Sequence, residues 1–259
     1  MHDLTYRLVI AALRVAFAVL GLRIDVRGKE HIPVRGAAVI AANHNGYLDF
    51  AFVGLAATRR RTSGAFHGQG GHVRQPGLRA GDARHATHPG RPRAGAGAYR
   101  RALRLLRGGE LVCVFPEGTI SRSWMLKDFL PGAAALAIER GVPIVPVVTW
   151  GGHRVLTVDL RRTLRRSTAV TIMVGEPFVP PAGAGVRVVS RELRARMAVA
   201  LGEAQETYPQ HPRDDGDRWW LPAMLGGTAP EPVVAARLDA EALARSAVRA
   251  AAKAVKHIP

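Results

Sequence analysis

Apolar runs of strand length alternate along this chain with segments whose apolar positions recur at helical spacing, and glycine-rich or charged breaks separate them. Gly36–Ala42 (GAAVIAA), Leu111–Phe115 (LVCVF), Pro143–Trp150 (PIVPVVTW) and Ala169–Val174 are apolar almost throughout and predict buried strands, with Arg23–Arg27 a shorter extended segment. Helices are predicted over Tyr47–Ala57, over Gly97–Arg107 with Gly108-Gly109 as its stop, over Gly132–Arg140 closed by Gly141, and over Ser190–Glu206. Strands that are apolar on both sides and alternate with helices predict an α/β fold: a single mixed, mostly parallel sheet flanked by helices. No internal repeat is visible.

The two ends read differently. Leu4 to Leu22 is almost continuously apolar, broken by Arg7 and Arg14, which stand seven apart and so share one side of a helix. Two arginines within that length disfavour a full span, whereas a helix lying among lipid headgroups keeps both in water. The favoured reading of residues 1–22 is therefore a membrane-interfacial helix. A helix packed on the core and a signal peptide are the alternatives, the second weakened by Arg14 inside the apolar run. After Tyr208 the composition turns to Pro, Asp and Gly, then Trp219-Trp220-Leu221-Pro222, then an Ala-rich helix from Val233 to about Lys256. Residues 23–207 read as one domain and 208–259 as an accessory segment.

Composition narrows the class. A chain of 259 residues, 47% hydrophobic, can bury one substantial core. Its one cysteine, Cys113, excludes an internal disulfide and a Cys-rich zinc site, and points to an intracellular protein. The net charge of +17 favours anionic partners: phosphates, nucleic acid or an anionic lipid surface. That charge is uneven, because Arg59 to Arg93 holds eight arginines against Asp82 alone, nearly half of the excess. The same stretch offers only Phe66, Val73 and Leu78 as large apolar residues, too few to bury a helix face or a strand.

Two clusters carry candidate chemistry. The first is Asn43-His44-Asn45-Gly46-Tyr47-Leu48-Asp49, where a histidine stands at the end of a strand, the place where open α/β sheets hold their ligands. On one continuous helix His44 and Asp49 would point about 140° apart, so they meet only through a turn, which Asn45-Gly46 supplies. An aspartate on imidazole fixes its tautomer and stabilises the imidazolium, as a general base acting on a hydroxyl requires. The same residues read equally well as a strand-end histidine beside an exposed helical aspartate. The second cluster is Phe115-Pro116-Glu117-Gly118-Thr119-Ile120-Ser121-Arg122, a polar loop after a buried strand that can hold a phosphate or can be an ordinary connection. Cys113, inside the strand before it, reads as buried and inert.

Taken together, His-x4-Asp after a strand, FPEGT with a downstream Ser-Arg, and GVPIVPVV resemble the glycerolipid acyltransferase family, which includes 1-acyl-sn-glycerol-3-phosphate acyltransferases. The resemblance runs from about Gly28 to Gly175. It implies that His44 deprotonates a glycerol hydroxyl with Asp49 as its partner, and that Glu117, Gly118 and Thr119 with Arg122 bind the phosphorylated acceptor. It further implies direct acyl transfer from acyl-CoA or acyl-carrier protein to a lysophospholipid, without cofactor, metal or covalent enzyme intermediate. The implied place is an anionic membrane surface, on the cytoplasmic face of the cell membrane. Ile120 is one departure, since many members carry Arg there.

The basic stretch is the larger departure, because the family has a helix and an apolar-Pro-Val-Asp-Arg strand end in that position. Read from the last two bases of each codon and the first of the next, His67 to Gly70 permits Met-Ala-Lys, and His85 to Arg93 permits Met-Arg-His-Ile-Pro-Val-Asp-Arg. Two compensating frameshifts bounding residues 59–93 would account for this; a basic insertion is the alternative. Without the missing motif the chain could be a catalytically impaired membrane-binding homologue. A nucleic-acid-binding protein is a further alternative resting on charge alone, without aromatic-basic interleaving, so no nucleic-acid partner is expected. His153 reads as a loop residue, Arg161-Arg162 and Arg165-Arg166 as a solvated basic face, and Trp219-Trp220 as a membrane-interface pair in preference to core.

Overall fold

In a computed structural model of the chain, residues 2–57, 67–68, 92–160 and 166–255 are described. Six strands form one sheet: β1 (Arg23–Arg27), β2 (Ala38–Ala42), β3 (His67–Gly68), β4 (Leu111–Val114), β5 (Ile144–Trp150) and β6 (Ala169–Val174), in the order β1-β6-β5-β2-β4-β3. All pairs are parallel except β5 with β6, which makes the sheet mixed and mostly parallel, as the apolar runs predict. In the centre Ala38 lies opposite Leu111 and Ile40 opposite Cys113, while Val39 pairs with Ile144.

Alternation along the strands decides which helix covers which face. Ala38, Ile40, Ala42, Leu111, Cys113, Val145 and Val147 share one buried cluster with Phe17 of α1 (His2–Val19) and with Phe52 and Val53 of α2 (Asp49–Ala56). Val39, Ala41, Val112 and Val114 therefore turn to the other face, where α3 (Pro92–Arg107), α4 (Gly132–Arg140) and α5 (Val186–Glu206) pack. Leu136, Leu193, Met197 and Leu201 are buried from that side.

Helix α1 meets the core along a narrow line. Phe17 is buried and stacks on Phe52 with ring centroids 5.0 Å apart, Leu13 packs beside it, and Val15 and Val19 are each 63% exposed. Among the described residues no helix is long and apolar enough to cross a membrane.

Some boundaries move for identifiable reasons. α2 begins at Asp49 and not at Tyr47, because residues 45–48 form a turn around the Asp49 carboxylate. α3 begins at Pro92, a residue suited to a first helical turn, where its missing N–H costs nothing. His67–Gly68 forms a short edge strand beside Val112–Cys113. The rest of the 59–91 stretch, where both the frameshift and the insertion readings fall, lies outside the described residues, as do Arg161, Arg162 and Arg165.

The contacts divide the chain into two units, Met1–Ile120 with Asp128–His211, and Ser121–Lys127 with Pro212–Pro259. In the second, α6 (Pro232–Val255) accompanies two short 3-10 turns, Asp215–Trp220 and Ala223–Leu225. Trp124 Nε1 donates to the Trp219 carbonyl at 2.9 Å, and the two rings meet edge to face at 6.4 Å. The membrane-interface reading is corrected for Trp220, while Trp219 is half-buried. Trp220 is 1% exposed, and an indole of that area gains more from full packing than from a half-wet position.

Candidate active site

Strand β2 ends in Asn43, and the Asn43 side chain continues the sheet where the main chain leaves it. Its Nδ2 donates to the Thr149 carbonyl at 3.0 Å and its Oδ1 accepts from Thr149 N at 2.7 Å, which holds the β2 exit to β5. The chain then turns sharply at Asn45-Gly46. A Cβ on Gly46 would come within 2.8 Å of the Leu156 carbonyl, so only glycine lets the turn lie against residues 153–156. Thr157 Oγ1 donates to the Asn45 carbonyl at 2.6 Å and closes the cradle.

This turn brings His44 and Asp49 together. His44 Nδ1 lies 3.0 Å from Asp49 Oδ2, and the same oxygen accepts from Asn45 N at 2.6 Å and Gly46 N at 2.8 Å. Thr149 Oγ1 donates to the other oxygen, Oδ1, at 3.1 Å. Asp49 is 1% exposed, and as the first residue of α2 it also sits where a helix favours negative charge. An ionised carboxylate only accepts, so it pairs with the tautomer that carries its proton on Nδ1, the one that leaves Nε2 as an acceptor. The ring stacks on Phe115 at 4.5 Å and stays 23% exposed, so Nε2 is the nitrogen left for a substrate. The exposed-aspartate reading of this cluster is excluded.

The FPEGT loop divides in its placement. Glu117 is 5% exposed and its Oε1 accepts from the His44 backbone N–H at 2.9 Å, which puts it beside the dyad. Gly118 takes φ 73°, a left-handed conformation that turns the loop back, with its N–H on the Phe115 carbonyl. Thr119 is half-buried, and Ile120, the apolar departure, is buried. Arg122 belongs to the second unit, where its Nε donates to Asp239 Oδ1 at 2.9 Å and Lys127 Nζ donates to Oδ2 of the same residue at 2.5 Å.

Other candidates resolve simply. Cys113 is fully buried; desolvation pushes its thiol pKa up, with a smaller contribution from the Asp49 charge, so no thiolate nucleophile is available. His153, read from sequence as a loop residue, sits fully buried in a 3-10 turn (Gly152–Arg154). Among the described residues no three His, Cys, Asp or Glu side chains gather as a metal site needs. Asn43, Thr149 and Thr157 were not distinguishable in sequence from ordinary polar residues at strand ends. The only available signal was that Thr149 closes the GVPIVPVV strand.

Geometry and fold define a class: an α/β protein with an imidazole–carboxylate pair at the carboxyl end of a central strand. Residues 23–150, just under half of the chain, match the family model described as Acyltransferase. A 1-acyl-sn-glycerol-3-phosphate acyltransferase of Bacillus subtilis is 26% identical over 206 residues, covering 76% of this chain and 94% of that protein. A chloroplastic 1-acyl-sn-glycerol-3-phosphate acyltransferase of Arabidopsis thaliana is 28% identical over 110 residues, 42% of this chain. The match spans only 30% of that plant protein's length. The crystal structure of the 1-acyl-sn-glycerophosphate acyltransferase PlsC from Thermotoga maritima shares the fold, with a TM-score of 0.59 and 22% identity over 79% of this chain and 81% of that one.

Proposed function

We propose that this chain transfers an acyl group from a thioester to the free hydroxyl of 1-acyl-glycerol-3-phosphate, working at a membrane surface. The observation that carries the reading is the His44–Asp49 pair, with the carboxylate buried and Nε2 left open. Nε2 takes the proton of the acceptor hydroxyl as its oxygen attacks the thioester carbonyl. Asp49 stabilises the imidazolium so formed. The tetrahedral intermediate then collapses, the C–S bond breaks, and the imidazolium returns its proton to the departing thiolate. Every atom is accounted for without a nucleophile from the protein, and the buried Cys113 is consistent with that.

The names of the relatives support lysophosphatidate as acceptor. The matched family favours acyl transfer over the nucleic-acid alternative. We assign the acceptor to Gly118 and Thr119 of the loop beside the dyad, with Glu117 positioning His44; Arg122, held by Asp239, would meet a phosphate only in exchange for that carboxylate. We place α1 at the bilayer interface, on the cytoplasmic face, because Val15 and Val19 stay exposed while Arg14 can remain in water.

The test is turnover of a palmitoyl thioester with lysophosphatidate, followed as released thiol. The wild-type chain should release thiol in step with phosphatidate formed. His44→Ala should lose roughly 10²–10⁴-fold in kcat, the usual contribution of a general base. A wild-type chain inert toward both palmitoyl-CoA and palmitoyl-carrier protein, or an unimpaired His44→Ala, overturns the assignment.

A further inference from the structure

The outer face of α3 carries a row of arginines. Arg100, Arg101, Arg104 and Arg107 are all exposed, and at 100° per residue they fall within one arc of roughly 120°. Ala102 and Leu106, on the opposite side, are buried. The helix contains no acidic residue. Glu139, the single acid of the neighbouring α4, accepts from Tyr99 Oη at 2.8 Å. Among the described residues none of the four guanidinium groups has an ion pair or hydrogen bond. Four like charges over about 10 Å of helix repel one another and cost stability unless something anionic uses them.

We propose that this stripe docks an acidic acyl carrier protein, the protein-borne form of the thioester donor. The inference rests on the acyl-transfer reading and goes on to name the donor and its landing surface. Two observations favour a protein over a bilayer. First, α3 lies on the sheet face opposite α1, so a membrane meeting α1 does not meet this stripe. Second, between positions 96 and 107 the exposed residues of α3 are Ala96, Ala98 and the arginines, with no large apolar side chain to enter lipid. The position also suits delivery. Gly108-Gly109-Glu110 joins α3 directly to β4, so α3 runs antiparallel to the strands and its N-terminal end lies at the end of the sheet that holds His44. The stripe fills the C-terminal half of α3, so a carrier seated on it would reach the dyad by a flexible thioester arm that spans the other half of the helix, about 12 Å, and turns around that end.

The experiment uses the full chain, wild type and Arg100→Glu/Arg104→Glu, with palmitoyl-carrier protein and palmitoyl-CoA as alternative donors. Binding of the carrier protein is measured by calorimetry at low and high salt, and phosphatidylglycerol vesicles are used for sedimentation. Charge reversal should weaken carrier binding by roughly tenfold or more and lower kcat/KM for palmitoyl-carrier protein alike. High salt should do the same to the wild type. kcat/KM for palmitoyl-CoA and vesicle sedimentation should not change. Equal losses with both donors, lost vesicle binding, or carrier binding that is absent or insensitive to the reversal would each overturn the proposal. If the wild type turns over neither donor, the acyl-transfer reading fails, while the calorimetry still decides whether the stripe binds the carrier.

Discussion

The backbone N–H of His44 donates to Glu117 Oε1 at 2.9 Å, so a carboxylate on the exit loop of β4 fixes the histidine at the exit of its neighbour β2. Substituting this carboxylate separates positioning from substrate binding. Glu117→Ala leaves the His44 N–H without its acceptor and should lower kcat by roughly 10- to 100-fold, the scale of a hydrogen bond to a charged group. Glu117→Gln keeps an oxygen in place and should lose less, with KM for lysophosphatidate steady in both. A raised KM at preserved kcat would instead put Glu117 on the acceptor.

Thr149 should matter through Asp49. In Thr149→Val the buried Oδ1 loses its hydroxyl donor, which costs about 1–3 kcal/mol of stability. Turnover should fall with it, and Thr149→Ser should restore both. Urea unfolding alongside kcat measures the pair; a valine variant with full activity would show that the backbone amides of Asn45 and Gly46 hold the carboxylate unaided.

Tyr99 ties α3 to α4, and its phenol pKa is raised to about 12, chiefly by desolvation and then by the hydrogen bond to Glu139. The unfolded chain would lose this proton near the ordinary phenol value of 10.0, earlier than the folded one. Stability is therefore intact below pH 10 and falls as pH rises toward 12, because over that interval the folded state holds the extra proton. Chemical denaturation at stepped alkaline pH should show the decline, and Tyr99→Phe should flatten it.

Removing residues 1–22 should release the protein from anionic vesicles. Raised salt should weaken binding of the whole chain without abolishing it, since apolar insertion is unscreened. Phe17 leaves the core with this segment, so the truncated chain should also melt earlier. Undiminished vesicle binding by the truncated chain would move the membrane contact elsewhere.

The sheet was legible because GAAVIAA, LVCVF and PIVPVVTW are continuous apolar runs, and only a sheet covered on both faces buries such runs. The pairing order was not, because nothing local in Arg23–Arg27 says that its neighbour will be Ala169–Val174. The dyad was half legible. The turn at Asn45-Gly46 allowed it, but the amides and the Thr149 hydroxyl that make Asp49 a buried acceptor come from backbone geometry and from a strand about a hundred residues away. Glu117 showed its chemistry in sequence and not its contact. Arg122 looked available because the carboxylate that holds it, Asp239, stands far along the chain in a helix with no motif.

The place of β1 bears on how the molecule is made. Its one ladder runs from Arg23 opposite Ala169 to Arg27 opposite Met173. During synthesis the segment leaves the ribosome before its partner and then waits, with its backbone amides and carbonyls bonded to water, until residues 28–168 have followed. The β2, β4 and β5 core can assemble in that interval, so closure of this edge is a late step, and a nascent chain stalled before residue 169 would present β1 as an open strand to any chaperone or neighbouring chain.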